Sequence, residues 1–165
     1  MARITFKGNP VNTIGELPKT GSKAPDFLLT KTDLTDVTLA DFAGKKKILN
    51  IVPSLDTGVC LTSAKHFDSS INDYPDTVVL TVSCDLPFAQ QRICKSEHID
   101  RVIPLSQLRS REFGRDYGVE MIDGPLQGLS SRAVVVLDRD NTVLYTEQVP
   151  EISHEPDYQK ALSAL

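Results

Sequence analysis

The sequence predicts an α/β sandwich, a central mixed β-sheet flanked by helices, with a β-hairpin added at the N-terminus. Three observations carry this. Two continuous apolar runs, KKILNIV at 46–52 and TVVLTV at 77–82, suit strands buried on both faces. One stretch of helical spacing lies between them and another follows, the β-α-β-α alternation of parallel strands joined by crossovers. Finally, AVVVLD at 133–138 and residues 142–149 flank the turn Asp138-Arg139-Asp140-Asn141, an antiparallel hairpin that makes the sheet mixed.

Taken in order, residues 4–14 form two short alternating runs around Gly8-Asn9-Pro10, the expected N-terminal hairpin. Residues 15–24, with Gly15, Pro18 and Gly21, read as loop. Short strands are predicted at 27–29 and 37–39, with a turn at 33–36. Pro53 ends the first buried strand. Leu61, Ala64, Phe67 and Ile71 then recur at near-helical spacing, predicting a helix from Cys60 to about Asp73. A second helix is expected over 87–98, with Pro87 in its first turn. A strand at 102–105 and a helix over 110–117, stopped by Gly118, follow. Residues 156–165 close the chain as a helix. No repeat or low-complexity segment interrupts the pattern.

The chain of 165 residues is long enough for one domain with its own core, residues 1–165, and short for two. A net charge of −4 leaves no basic footprint for nucleic acid. No apolar run approaches the roughly 20 residues that cross a bilayer. The N-terminus MARITFK lacks the apolar core of a secretory signal, so the expected compartment is the cytoplasm. The three cysteines, at 60, 84 and 94, form no CxxC pair, and the three histidines are not clustered with them. A structural zinc site is therefore not expected, nor any other metal, flavin or haem. In a reducing compartment each cysteine is either a core residue or a reactive thiol.

Cys60 is the most informative of the three. It follows Pro53-Ser54-Leu55-Asp56-Thr57-Gly58-Val59, a loop between a buried strand and a helix. A thiol at a helix N-terminus sits among unpaired N–H groups at the positive end of the helix dipole, which favours thiolate. That matters for rate, because a free cysteine of pKa about 8.5 is only slightly ionised at neutral pH. Thr57 can present its hydroxyl to the sulfur or to an incoming oxygen, and Pro53 can keep water from the sulfur's far side.

The motif Pro53-(x)3-Thr57-(x)2-Cys60 resembles the active-site signature of peroxiredoxins. With DLPFAQQRIC at 85–94 and GLSSRAVVV at 128–136, nearly the whole chain is similar to the bacterial thiol peroxidases, atypical 2-Cys peroxiredoxins of thioredoxin-like fold. The resemblance implies a thiol-dependent peroxidase acting on hydrogen peroxide and organic hydroperoxides. It makes Cys60 the peroxidatic cysteine, with Pro53 and Thr57 as motif partners and Arg132 as the active-site arginine. Chemistry agrees: a fixed guanidinium beside the sulfur holds a thiolate and stabilises the leaving oxygen. The resemblance also implies that Cys94 resolves the Cys60 sulfenic acid as an intramolecular disulfide, that thioredoxin or a similar dithiol protein reduces it, and that the chain forms a homodimer. Disulfide geometry requires Cα atoms within about 7 Å. Local unwinding around Cys60 is therefore expected, with Gly58 absorbing part of it.

Cys84 departs from the resemblance, and two readings stay open: a small core residue at a strand end, or a second resolving thiol. Arg132 as a salt-bridge arginine and Thr57 as a simple helix cap are the bland readings of those residues. Phe42, Phe88, Leu126 and Leu129 suit an apolar rim for organic hydroperoxides, or core or dimer packing. His66 has no partner that would make it a base for Cys60. Two other functions share these residues: a redox relay that passes the Cys60 disulfide to a partner, and a binding module whose cysteines are passive.

Overall fold

The chain turns back on itself within its first dozen residues, and the computed structural model describes it throughout, from residue 1 to 165. Strand β1 (Arg3–Phe6) pairs antiparallel with β2 (Asn9–Asn12) as a separate two-stranded sheet. Lys7 and Gly8 make the turn at φ of 51° and 79°, the left-handed pair that matches the twist of a tight hairpin. The turn thus falls earlier than Gly8-Asn9-Pro10. Pro10 lies within β2 opposite Thr5, where β2 has β1 as its only neighbour and a missing N–H costs no ladder bond.

The main sheet has seven strands, in the order β4 (Asp36–Val37), β3 (Leu29–Thr30), β7 (Ile103–Ser106), β6 (Thr77–Ser83), β5 (Lys46–Ile51), β8 (Ala133–Leu137) and β9 (Val143–Gln148). Its middle strand is β6, parallel to β5 on one side and to β7 on the other. The connection from β5 to β6 carries α1 (Gly58–Ser70), continued by a 3-10 turn over Ile71–Asp73. That from β6 to β7 carries α2 (Pro87–Ser96). After α3 (Glu112–Asp116), strand β8 (Ala133–Leu137) runs antiparallel to β5, and β9 (Val143–Gln148) antiparallel to β8. Helix α4 (Tyr158–Ser163) closes the chain. The mixed, helix-flanked sheet agrees with expectation. Strands β3 (Leu29–Thr30) and β4 (Asp36–Val37) are shorter than expected, and Leu39 opens a 3-10 turn over Leu39–Phe42. Asp41 accepts the Thr38 N–H at 2.7 Å, a capping contact that starts a helical turn where extended chain was expected.

Alternation along the central strands builds two cores. Leu49, Ile51, Leu80, Val82, Val135 and Leu137 face one side of the sheet, with Phe113 and Tyr117. Ile48, Val79, Val134 and Val136 face the other, under Ala64 and Phe67 of α1, Ile93 of α2 and Ala161 of α4. Every one of these side chains is buried, which explains the unbroken apolar runs. A third, small cluster joins the N-terminal hairpin (Ile4, Val11) to Met121 and Ile152. No helix is long and apolar enough to cross a membrane.

Two features of register position the site. The pairing of Ile51 with Ala133 sets Arg132 beside the chain leaving β5. The parallel pairing of Ile51 with Val82 brings that same loop next to Ser83 and the residues that lead into α2.

Candidate active site

Pro53, Thr57 and Arg132 line one cavity of about 440 Å³, whose apolar wall is Phe6, Leu126, Leu129 and Ile152. Cys60 is fully buried, next in sequence to Val59 of this wall. Its Sγ accepts a hydrogen bond from Nη2 of Arg132 at 3.3 Å. The structure therefore brings four of the sequence-selected residues together and leaves Cys94 apart, on α2.

Helix α1 begins at Gly58, so Cys60 lies inside its first turn rather than opening it. Thr57 occupies the N-cap position with extended backbone, and its carbonyl accepts the Leu61 N–H at 2.9 Å. Its hydroxyl makes no capping bond. It donates instead to the Ser54 carbonyl at 2.9 Å, which fixes the direction of the hydroxyl and leaves its oxygen lone pairs free. The Cys60 carbonyl accepts from the Ser63 hydroxyl at 2.8 Å, and Asn50 reaches Ser63 and Thr81 from the sheet below, each at 3.3 Å. A buried polar file thus ties the first turn of α1 to β5 and β6.

Arg132 is 3% exposed, and burying a cation is costly unless its N–H groups find partners; two of its three nitrogens do. Nε donates to the Ile152 carbonyl at 2.8 Å and Nη2 to Cys60. Nη1 is buried with no partner. Its backbone is held as firmly: Gln148 Nε2 and Val149 N–H donate to the Arg132 carbonyl at 2.9 and 3.0 Å. Arg132 is accordingly an interior arginine bound to sulfur, and makes no surface salt bridge. A guanidinium with an N–H left over keeps the capacity to bind a second electronegative atom.

All three cysteines are free thiols. Cys94 is half-buried against the core below α1, and burial, with Asp68 and Asp100 adding to it, pushes its thiol up to about 11. Cys84 is not the core residue its strand-end position allowed. It is half-buried just past β6, its Sγ accepting from Arg111 Nη1 at 3.2 Å. Burial raises its pKa against the opposing pull of Arg111. Leu126 and Leu129 join the apolar wall, whereas Phe42 is buried in the core on the other side of the sheet and Phe88 is 62% exposed. His66 stacks on Tyr158 with centroids 3.8 Å apart, packing α1 on α4.

Sequence reasoning missed several supports of the site. The Ile152 carbonyl that takes Arg132 Nε has no side-chain signature. Asn50 reads in the sequence only as one member of a buried strand. Asp85 stood inside the DLPF string, but nothing in the string names its partners. Nor did the apolar runs reveal that Phe6, from the hairpin, forms part of the cavity wall.

Comparison with known proteins places this geometry in context. Residues 19–162 match the Redoxin family model. The chain is 52% identical over 165 residues to the thiol peroxidase of Mycobacterium tuberculosis, covering 100% of this chain and 99% of that protein. It superposes on the crystal structure of a peroxiredoxin-like protein from Aquifex aeolicus with a TM-score of 0.92 at 36% identity, covering 100% and 98% of the two chains. The fold is shared with a thiol peroxidase from Chromobacterium violaceum, TM-score 0.91 at 23% identity over 98% and 93% of the chains.

Proposed function

The chain belongs to the redoxin family as a thiol peroxidase, an oxidoreductase of the peroxiredoxin type, and on that premise we propose that Cys60 is its peroxide-reducing sulfur and Cys94 its resolving thiol. The observation that carries the reading is the contact between Arg132 Nη2 and Cys60 Sγ, made by a buried guanidinium whose Nη1 has no partner. The thiolate of Cys60 attacks the hydroxyl oxygen of ROOH; the S–O bond forms as the O–O bond breaks, and RO⁻ leaves to take a proton as ROH. Nη1 of Arg132 and the oxygen of Thr57 hold the peroxide in line, and the guanidinium meets the charge that develops on the leaving oxygen. Sulfur loses two electrons and becomes Cys60 sulfenic acid. The Cys94 thiolate then attacks that sulfur, hydroxide leaves, and a Cys60–Cys94 disulfide remains.

Closing this disulfide requires the first turn of α1 to open. Hollows flank that turn on several sides: the cavity itself, a groove toward Arg92 and Ile93 of α2, and a depression toward Ser153 and Glu155, with Gly58 in the wall of each. Thin packing makes local unwinding inexpensive there. A dithiol protein of the thioredoxin type returns the disulfide to two thiols, in the cytoplasm, where thiols stay reduced. The apolar wall suits organic hydroperoxides as well as hydrogen peroxide. The proposed assembly is a homodimer, for which Leu86 and Phe88, exposed at the start of α2, offer apolar surface that a second copy would cover.

The test is a thioredoxin-coupled assay with cumene hydroperoxide on wild type and the three Cys→Ser variants. Cys60→Ser is expected to lose activity by roughly a thousandfold. Cys94→Ser is expected to consume about one equivalent of peroxide and then stall without a resolving thiol. Cys84→Ser is expected to stay within about twofold of wild type, as a substitution outside the chemistry. Activity surviving in Cys60→Ser would overturn the reading, and a stall in Cys84→Ser would move the resolving role there.

A further inference from the structure

Asp85 lies between the two segments that carry the reacting cysteines. It follows β6 and precedes α2, the helix of Cys94, yet both of its carboxylate oxygens are engaged elsewhere. Oδ1 accepts from the Ser54 hydroxyl at 2.7 Å, and Oδ2 from the Leu55 backbone N–H at 2.7 Å and the Ser83 hydroxyl at 2.7 Å. Its own carbonyl accepts from the Ser106 hydroxyl, which fixes its backbone to the end of β7. The Asp85 side chain thus clamps the loop before α1 to the end of β6, and its backbone carbonyl ties that clamp to the end of β7.

What the clamp holds is the geometry of the site. Ser54 Oγ, bonded to Asp85, also accepts the Asp56 N–H at 3.2 Å, and the Ser54 carbonyl accepts the Thr57 hydroxyl at 2.9 Å. The direction of the Thr57 hydroxyl is set through Ser54, and Ser54 through Asp85. Hydrogen bonds to a carboxylate are about twice as strong as neutral ones, and residues 53–57 have no helix or strand of their own to hold them. We propose that Asp85 is a positioning residue that keeps residues 53–57 in the peroxide-reducing conformation and so sets the rate of Cys60 oxidation relative to disulfide closure. Asp85 touches neither peroxide nor sulfur. Its bonds to Ser54 and Leu55 oppose the opening that closure needs.

The inference rests on the assignment of Cys60 and Cys94 above, and the experiment separates the two. Rapid-quench alkylation with mass spectrometry of the intact chain follows thiol, sulfenic acid and disulfide after mixing with hydrogen peroxide. In Asp85→Ala, sulfenic acid formation is expected to slow by about tenfold or more, as displaced reacting groups do, while closure keeps or exceeds its wild-type rate. Asp85→Asn, which keeps one acceptor for Leu55, is expected to fall between. A merely structural role would slow both steps together. Oxidation within twofold of wild type in Asp85→Ala, or equal slowing of both steps, overturns the proposal. Should Asp85→Ala not fold, Ser54→Ala must reproduce the oxidation defect, and its absence there counts equally against the clamp. Failure of wild type to form any Cys60 sulfenic acid would instead sink the cysteine assignment on which the clamp depends.

Discussion

Single side chains divide the chemistry between burial and charge. Cys60 keeps a cation within hydrogen-bond distance of its sulfur, whereas Cys94 has only carboxylates, Asp68 and Asp100, acting on it and a thiol raised to about 11 by burial. Only a thiolate attacks a sulfenic acid, so a raised pKa lowers the reactive fraction at any pH beneath it. If Cys94 reacts from its buried position, disulfide closure should accelerate about tenfold per pH unit between pH 7 and 9. Stopped-time alkylation of pre-formed sulfenic acid measures this, and a flat profile would mean that opening of α1, rather than ionisation of Cys94, limits closure. The residues of that chemistry were legible because the spacing from Pro53 through Thr57 to Cys60 and the Ser131-Arg132-Ala133 string are carried by side-chain identity. The Ile152 carbonyl was not, since a backbone acceptor leaves no trace in composition. Asp85 was invisible for a related reason: a carboxylate after a strand reads as solvent-facing unless its distant partners are known.

At the scale of elements, α1 combines a firm body with a weak start. Its core side is tied down by Ala64, Phe67 and the His66–Tyr158 stack, but its N-cap side chain is turned away and its first residue is Gly58. A Cβ placed on Gly58 would meet nothing within 4 Å, and its φ is not in the left-handed region. Gly58→Ala should therefore be stabilising, by about 0.4–1 kcal/mol from lost freedom of the unfolded chain. The same change should slow disulfide closure several-fold, because the opened loop loses its most flexible residue, while leaving Cys60 oxidation intact. A higher Tm with unchanged closure would show that the hinge lies elsewhere. The long elements were readable in advance because β5, β6 and β8 are buried on both faces and α1 has clear helical spacing. Strands β3 and β4, two residues each, were not, because pairing with β7 and with each other creates them rather than local pattern. Likewise Lys7 gave no sign that it would adopt a left-handed turn; the register of Arg3 to Asn12 requires it.

Across the whole molecule, the site depends on contacts between residues near opposite ends of the chain. Glu151, after β9, accepts the Thr5 hydroxyl at 2.7 Å, the Lys7 and Gly8 N–H groups at 3.0 and 3.1 Å, and the Ser153 hydroxyl at 2.6 Å. These bonds, the Ser153 and Thr5 hydroxyls foremost, hold its carboxyl well below the usual carboxylate range. The hairpin it anchors supplies Phe6 to the cavity wall, and its neighbour Ile152 supplies the carbonyl that orients Arg132. A carboxyl whose pKa is lower folded than unfolded stabilises the fold above its unfolded value of about 4.3, and loses that contribution as pH falls through the folded value. Glu151→Gln should therefore melt below wild type at pH 7, and the gap should narrow progressively once the pH falls below about 4. At pH 7 the same variant should raise KM for cumene hydroperoxide more than it lowers the rate with hydrogen peroxide, because the loosened hairpin contributes Phe6 to the apolar wall and none of the reacting groups. Thermal melts from pH 7 to pH 3, paired with the two peroxide assays, decide it. A gap of constant size across that range would assign the anchoring to the shape of the side chain rather than its charge, and equal loss with both peroxides would place the damage at Arg132 instead of the wall.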